Sequence, residues 1–225
     1  MSNVWRFGRQ YDFHEIVADG IVHGVGIVFA LVGATALIFY ATVWGSLSAI
    51  AAAWIYGLGL VACLSVSFTY NIWPHSNVKW FLRRLDHSAI FLAIAGGYTP
   101  VSIAALDGWR QTAVLVVVWT GAAIGIALQW VPVHVPRAVF TAVYVVVGWS
   151  VSIALPQLLH GLGVVGFTLV LAGGVAYTAG AVVYALKRPD PWPTVFGYHE
   201  VFHLLTIVGA GLQFAAVAFV VSPKL

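Results

Sequence analysis

Charge is what this sequence most conspicuously lacks. Asp, Glu, Lys and Arg make up 8% of its 225 residues and hydrophobic residues 61%, whereas an average soluble domain is roughly 25% charged. Residues 20–78 contain none of the four charged types, and further charge-free runs cover 87–106, 111–136, 138–186 and 201–223. A membrane-spanning helix needs about 20 mostly apolar residues. The composition therefore excludes an ordinary soluble domain and indicates an integral membrane protein.

Cysteine is nearly absent as well. Cys63 is the one cysteine of the chain and lies inside an apolar run, so neither an internal disulfide nor a cysteine metal cluster is available. The net charge of +3 and the pI near 9.1 would suggest nucleic acid as a partner in a soluble protein. Here the basic residues lie between apolar runs, so we expect membrane lipids and no nucleic acid as partners.

The charge-free runs predict an all-α fold, a single domain over 1–225 with seven membrane-spanning helices. The three shorter runs hold one span each. The two long runs are divided by turn residues, at Trp44-Gly45-Ser46 and at Pro156, Gln157 and His160, so each holds two spans. The runs are apolar all round, which favours helices over a β-barrel. The approximate predicted spans are 19–43, 48–73, 86–106, 111–131, 136–155, 160–186 and 198–221.

The distribution of Lys and Arg predicts the orientation. Cytoplasmic segments of membrane proteins carry an excess of these residues. A cytoplasmic N-terminus leaves only Arg110 and Lys224 outside and places the other eight of the ten inside, namely Arg6, Arg9, Lys79, Arg83, Arg84, Arg137, Lys187 and Arg188. We therefore expect the N-terminus in the cytoplasm and the C-terminus outside.

Polar residues gather at the cytoplasmic ends of four predicted helices. An ionisable side chain at the edge of an apolar stretch is costly unless it has a partner or a function. This clustering did not enter the prediction of orientation, so it independently indicates a site at that membrane face. Its members are Glu15, Asp19 and His23 in the first helix, Ser67 and Asn71 in the second, Asp86 at the start of the third, and His199 and His203 in the seventh.

His199 and His203 suggest a metal site. They are four residues apart, so their side chains stack on one face of a helix and offer two imidazoles to one ion. Asp86, at the same depth, would complete a His/His/Asp set suited to zinc. The spacing alone is a weak signal. In the alternative interpretation one histidine bonds a backbone carbonyl and the other reaches the membrane interface.

Three stretches taken together resemble a known family. They are HEIVADGIVHGVG at 14–26, LSVSF and PHSNVKWFLRRLDHSAIFLAIAGGYTP within 64–100, and GYHEVFHLL at 197–205. They are similar to motifs of the bacterial hemolysin III proteins, relatives of the progestin and adipoQ receptors that include the adiponectin receptors. The resemblance implies a seven-helix bundle, here in a bacterial inner membrane, with a zinc ion near the cytoplasmic leaflet.

The resemblance also implies the zinc ligands. In the receptors, two histidines of the seventh helix bind the ion, and here these are His199 and His203. The aspartate that acts through bound water corresponds to Asp86. The remaining ligand, a histidine late in the second helix, corresponds to Asn71, whose neutral oxygen binds zinc more weakly than imidazole does. His75 could substitute only if its loop folds back. The site is thus either a weakened zinc site or a polar pocket without metal.

The remaining polar residues match an accessory element of the family. Glu15, Asp19 and His23 correspond to its Glu/Asn/His motif, with Asp19 at the Asn position, and Ser67 belongs to the motif of the second helix. One interpretation is that the first three anchor the helix end, where carboxylates suit the helix dipole. The other is that they orient a metal-bound water or bind a lipid headgroup.

Two functions from different classes follow. The first is a zinc-dependent hydrolase of a lipid amide, resembling the ceramidase-like activity proposed for the receptors, with an acyl chain between the helices and Asp86 as the catalytic general base. The second is a non-enzymatic membrane sensor or receptor, or a pore-forming (cytolytic) protein, in which the polar cluster is structural. The sequence leaves the substrate and the oligomeric state open.

Overall fold

The computed structural model describes residues 4–6, 9–11, 13–74, 76–131, 137–192 and 194–221. His75 lies outside these residues, as do residue 136 of the fifth predicted span and the C-terminal residues 222–225. The described chain begins with an antiparallel hairpin of β1 (Val4–Arg6) and β2 (Arg9–Tyr11). The helices that follow are α1 (Phe13–Trp44), α2 (Leu47–Ile72), α3 (Asn77–Ala105), α4 (Gly108–Trp130), α5 (Arg137–Gly148), a 3-10 helix (Ser150–Ala154), α6 (Leu155–Leu186) and α7 (Tyr198–Val221).

The helices are those of a membrane protein. Within the described residues, six helical segments are long and apolar enough to cross a membrane: Phe13–Trp44, Leu47–Ile72, Asn77–Ala105, Gly108–Trp130, Val139–Leu186 and Tyr198–Val221. The prediction of a helical integral membrane protein is therefore confirmed. The predicted count of seven spans is not, because one of the six segments is 48 residues long and covers the region predicted to hold two.

The two long apolar runs are divided differently. In the first, α1 ends at Trp44 and Ser46 caps α2 by accepting a hydrogen bond from the amide of Ala49 at 3.3 Å, at the predicted turn. In the second, Pro156 does not end the helix, because proline is tolerated in the first turn, where its missing N–H is not needed. The break instead lies at Gly163, whose φ of 65° favours glycine.

The chain turns back on itself around Gly163. Trp149 precedes the break and Thr178 follows it by fifteen residues. The indole Nε1 of Trp149 nevertheless donates a hydrogen bond to the hydroxyl of Thr178 at 3.0 Å. The arms before and after the break therefore lie side by side, although both belong to one continuous apolar segment.

Helix α3 begins earlier than the charge pattern predicts. The third span was predicted to start at Asp86, but α3 starts at Asn77, so Lys79 and Arg83 lie on the helix and not in a loop. The preceding helix ends at Ile72, directly before Trp73 and Pro74, as expected for a residue that disfavours helix on its N-terminal side. Charge marks where a helix leaves the apolar layer, which is not where the helix ends. Asp86 consequently lies more than two turns inside α3.

Small residues form the contacts between α1 and its neighbours. Added Cβ atoms at Gly26 and Gly33 would lie 2.9 Å from the side chains of Ile207 and Phe214 on α7. Five alanines of α1 and α2 are buried, whereas large apolar residues such as Val25 are exposed on the outer face. Small residues at the interface allow membrane helices to approach closely. This packing brings the polar ends of α1, α2 and α7 within hydrogen-bonding distance.

Candidate functional site

Two carboxylates fix the start of α7 and hence the direction of its histidines. Glu200 accepts a hydrogen bond from the backbone amide of Gly197 at 2.9 Å, which is the return bond of a capping box. Asp190 accepts one from the amide of Tyr198 at 3.0 Å. His199 and His203 follow on one face, both buried, with their Nε2 atoms 3.0 Å apart.

Asn71 joins these histidines to α2. Its side-chain oxygen lies 3.2 Å from Nε2 of His199, and its nitrogen lies 3.4 Å from Nε2 of His203. The same nitrogen donates to the backbone carbonyl of Ser67 at 3.0 Å, so the helix holds the amide in place. Position 71 therefore faces the histidine pair, where the sequence motif puts it.

Asp19 and His23 extend the cluster into α1. Asp19 is fully buried, and its Oδ1 lies 3.2 Å from Nδ1 of His23 and 3.7 Å from Nε2 of His203. The Nε2 atom of His23 lies 3.2 Å from the hydroxyl of Ser67. Asp19, His23, Ser67, Asn71, His199 and His203 thus form a continuous chain of contacts across three helices, the polar network.

Three members of the polar network could hold a metal ion. One potential ligand atom from each of Asp19, His199 and His203 lies within 4.8 Å of the other two. Zinc bonds of about 2.0–2.1 Å in a tetrahedral site place neighbouring ligand atoms roughly 3.3 Å apart, so small side-chain movements would suffice. Two imidazoles and a carboxylate are also a donor set that zinc accepts. The residues fit the metal that the family resemblance implies.

Asp86 occupies a different place from Asp19. It is not in the group of three ligands. Its carboxyl group is hydrogen-bonded to the Ser67 hydroxyl, and His23, Asp19 and Arg83 are charged or ionisable groups in its surroundings. Asp86 also lines the cavity described next, which His199 and His203 line too. Its predicted action through a bound water stays a prediction.

Glu15 lies one turn before Asp19 on α1, toward the N-terminal end of that helix. It is almost fully buried, and one of its carboxylate oxygens would lie 3.5 Å from a Cβ built on Gly197. An oxygen of Glu200 would lie 3.5 Å from the same position. Glu15 therefore packs near the capped start of α7 and is not in the group of three candidate metal ligands.

An apolar cavity of about 230 Å³ starts at the polar network and runs into the bundle. Asn71, Asp86, His199 and His203 line its polar end. Toward the middle of the helices the lining is mostly aliphatic and aromatic, from α2, α3, α5, α6 and α7, including Leu60, Ile94, Val145, Val170 and Ala210. The arrangement suits a molecule with a polar end and a hydrocarbon chain.

Sequence reasoning anticipated most of this cluster but ranked one residue too low. Asp19 was expected to anchor a helix or support the site, yet it lies closer to the histidine pair than expected. The available signal was its spacing of four from both Glu15 and His23, which places all three on one helix face. Which face meets α7 depends on packing at Gly26 and Gly33, which the sequence pattern does not specify.

The fold and site define a class: a polytopic helical membrane protein with a buried His/Asp cluster at one end of its bundle. Within that class the chain belongs to the haemolysin III family. It matches the family model described as "Haemolysin-III related" over residues 11–214.

Relatives from bacteria and from a plant support this membership. The chain is 32% identical to Hemolysin-3 of Bacillus cereus over 209 residues, covering 93% of each protein. It is also 32% identical to the Hemolysin-3 homolog of Bacillus subtilis (strain 168), covering 93% of this chain and 96% of that protein. The Heptahelical transmembrane protein ADIPOR2 of Oryza sativa subsp. japonica is 28% identical over 183 residues, covering 72% of this chain and 79% of that protein.

We expect Asn71→Ala to destabilise the protein even without metal. The change removes hydrogen-bond partners from two buried histidines, and a buried polar group left unsatisfied costs about 1–3 kcal/mol. Thermal unfolding in detergent with a chelator should therefore show a lower midpoint. Asn77→Ala, at an exposed position at the start of α3, is the matched control and should change stability by no more than about 0.5 kcal/mol. Equal midpoints for the two variants would contradict the bridging role of Asn71.

Proposed function

We propose that the protein is a divalent metal-dependent hydrolase that cleaves the amide bond of a membrane lipid. The observation that carries this proposal is the continuity between the polar network and the apolar cavity. Asp86, His199 and His203 line the same cavity as Leu60 and Val170. A lipid amide has this combination of a polar reacting group and a long hydrocarbon chain.

The proposed ion is zinc, held by His199, His203 and Asp19. When bound, it would supply Lewis-acid chemistry that polarises the amide carbonyl and activates water. Asn71 lies beside the two histidines and orients them through its amide. His23 contacts Asp19 and restrains the carboxylate, as outer partners of metal ligands commonly do.

Asp86 is the proposed general base. Asp86 lines the same cavity as the histidine pair, so its carboxyl group would accept a proton from the attacking water. The water oxygen bonds to the amide carbon, the carbon–nitrogen bond breaks, and the proton passes to the departing amine. The products are a fatty acid and an amine. The cavity wall, being apolar, holds the chain and excludes bulk water from the reacting group.

Loss of the Asp86 carboxylate should abolish hydrolysis without loss of the fold. For the purified protein with zinc and a long-chain ceramide as probe, Asp86→Asn should lower the turnover rate by at least about 100-fold, the lower limit for general base catalysis. Asp107→Asn is the control. Asp107 lies just beyond the opposite end of α3, where it accepts a hydrogen bond from the side chain of Gln157. A wild-type protein that binds zinc but releases no fatty acid would contradict the enzymatic proposal and favour a structural or sensory role for the cluster.

Position 71 offers a direct test of the metal site. Asn71→His would replace a weak neutral oxygen beside His199 with an imidazole, and zinc affinity should rise at least about tenfold, or about 1.4 kcal/mol. Asp19→Asn should lower the affinity, because it removes the one anionic ligand of the set. Affinity is measured by competition with a chelating dye.

The gain from Asn71→His should disappear in a His203→Ala background, because the new imidazole would lack its partner. Equal zinc affinity in the wild type, Asn71→His and Asp19→Asn would remove the metal site from the proposal.

We further propose seven crossings, with the N-terminus in the cytoplasm. The 48-residue segment Val139–Leu186 would measure about 72 Å as a straight helix at 1.5 Å per residue, more than twice the apolar thickness of about 30 Å. The break at Gly163 and the hydrogen bond from Trp149 to Thr178 support two crossings there. The plant relative is named heptahelical, and the Lys and Arg distribution supports the orientation.

Reporter fusions test this topology in the inner membrane of a bacterial host, the location that the Bacillus relatives suggest. A fusion after Leu225 should report the outside, and a fusion between Trp73 and Ser76 should report the cytoplasm, because an odd number of spans separates the two points. Both fusions reporting one side would contradict the count of seven.

A further inference from the structure

The structure points to a second polar subsite inside the cavity, one that recognises an oxygen atom carried partway along the lipid chain. This inference rests on the proposed function, since it takes the occupant of the cavity to be a long-chain lipid. The subsite consists of Tyr56, Cys63 and Tyr177, and we call it the deep polar group. All three residues line the cavity.

Hydrogen bonding separates the deep polar group from the rest of the lining. Several polar side chains along the cavity donate to backbone carbonyls: Tyr98 to Gly148, Tyr144 to His87, Thr178 to Gly174, Thr206 to Phe202 and Gln213 to Val170. Within the described residues, the hydroxyl of Tyr56 has no such partner although the residue is only 4% exposed. Buried polar groups without a partner are rare and call for an explanation.

Tyr177 is the member that a ligand can reach. Tyr177 lines the cavity, and the residue is 37% exposed. A Cβ added to Gly209 would lie 3.1 Å from three atoms of the Tyr177 ring, so the bare backbone of α7 makes room for it. Tyr56 and Cys63 line the same cavity, and within the described residues the Tyr177 hydroxyl makes no hydrogen bond.

Helices α2, α6 and α7 place Cys63 and Tyr177 at similar depths, whereas Tyr56 lies seven residues farther from the polar end than Cys63, or about 10 Å along α2. Tyr177 is seven residues from Tyr184, whose ring lies 6.4 Å from the His199 ring, which corresponds to about 10 Å along α6 at 1.5 Å per residue. Gly209, against which Tyr177 packs, lies six residues beyond His203, or about 9 Å along α7. Cys63 lies eight residues before Asn71, or about 12 Å along α2.

This depth defines the chemistry of the ligand. Carbon–carbon bonds near 1.5 Å advance an extended chain by roughly 1.3 Å each, so eight or nine bonds separate the reacting carbonyl from the level of Cys63 and Tyr177. The matching oxygen lies near the ninth or tenth carbon, as a hydroxyl or a keto group. The Tyr177 hydroxyl would donate a hydrogen bond to it.

Binding of positional isomers tests this subsite. The probes are octadecanoic acid, its 10-hydroxy derivative and its 2-hydroxy derivative, titrated calorimetrically into chelator-treated protein in detergent. The wild type should bind the 10-hydroxy acid about fivefold more tightly than either other acid, equivalent to about 1 kcal/mol at 1.4 kcal/mol per tenfold. Tyr177→Phe should lose this preference and bind octadecanoic acid as the wild type does.

Tyr144→Phe is the matched control. The same atom is lost from the same cavity, but the Tyr144 hydroxyl already donates to the carbonyl of His87 at 3.0 Å, so the preference should remain. Equal affinity of the wild type for all three acids would overturn the inference. So would a preference that survives in Tyr177→Phe. If the wild type prefers the 10-hydroxy acid but hydrolyses no lipid amide, the subsite is supported and only the enzymatic function is rejected.

Discussion

The structure depends on one constraint: polar side chains withdrawn from water into an apolar bundle must bond to one another. Asn71 shows how the chain meets it. Its amide contacts both histidines of α7 and the carbonyl of Ser67 on its own helix, so it supplies a donor and an acceptor at the meeting point of two helices. An apolar residue there would remove one hydrogen-bonding contact from each imidazole. The polar network therefore fixes the register of α1, α2 and α7 together with the close packing at Gly26 and Gly33.

The sequence predicted the parts of the fold that depend on local chemistry. Spacing of charge predicted a helical membrane protein, and spacing of four predicted the shared face of His199 and His203. The start of α3 and the break at Gly163 were not predicted, because apolar runs report contact with lipid and not helix ends. The proximity of Asp19 to His203 was not predicted either, since it depends on how closely α1 approaches α7 at Gly26 and Gly33.

Positions 19 and 71 both differ from the residues that the family resemblance leads one to expect, and the two differences are related. The family resemblance leads one to expect Asn in the first helix and His in the second, whereas this chain has Asp19 and Asn71. Two neutral imidazoles and a neutral amide would leave a divalent ion without a counter-charge in a poorly polarisable surrounding, which is unfavourable. Asp19, fully buried and 3.7 Å from His203, supplies that charge. For the proposed metal site, the carboxylate thus compensates for the missing imidazole.

The two ends of the cavity differ in rigidity for a physical reason. At the polar end, each side chain of the network contacts at least one other, and moving any of them costs hydrogen bonds between buried groups. Farther in, the walls are apolar side chains that interact by dispersion, which is weak per contact and tolerant of rearrangement. A ligand's reacting group would therefore be positioned by the network, whereas its chain would be selected by shape and by the few polar groups along the wall. Because separate residues carry these two tasks, reaction and chain preference can change independently by substitution.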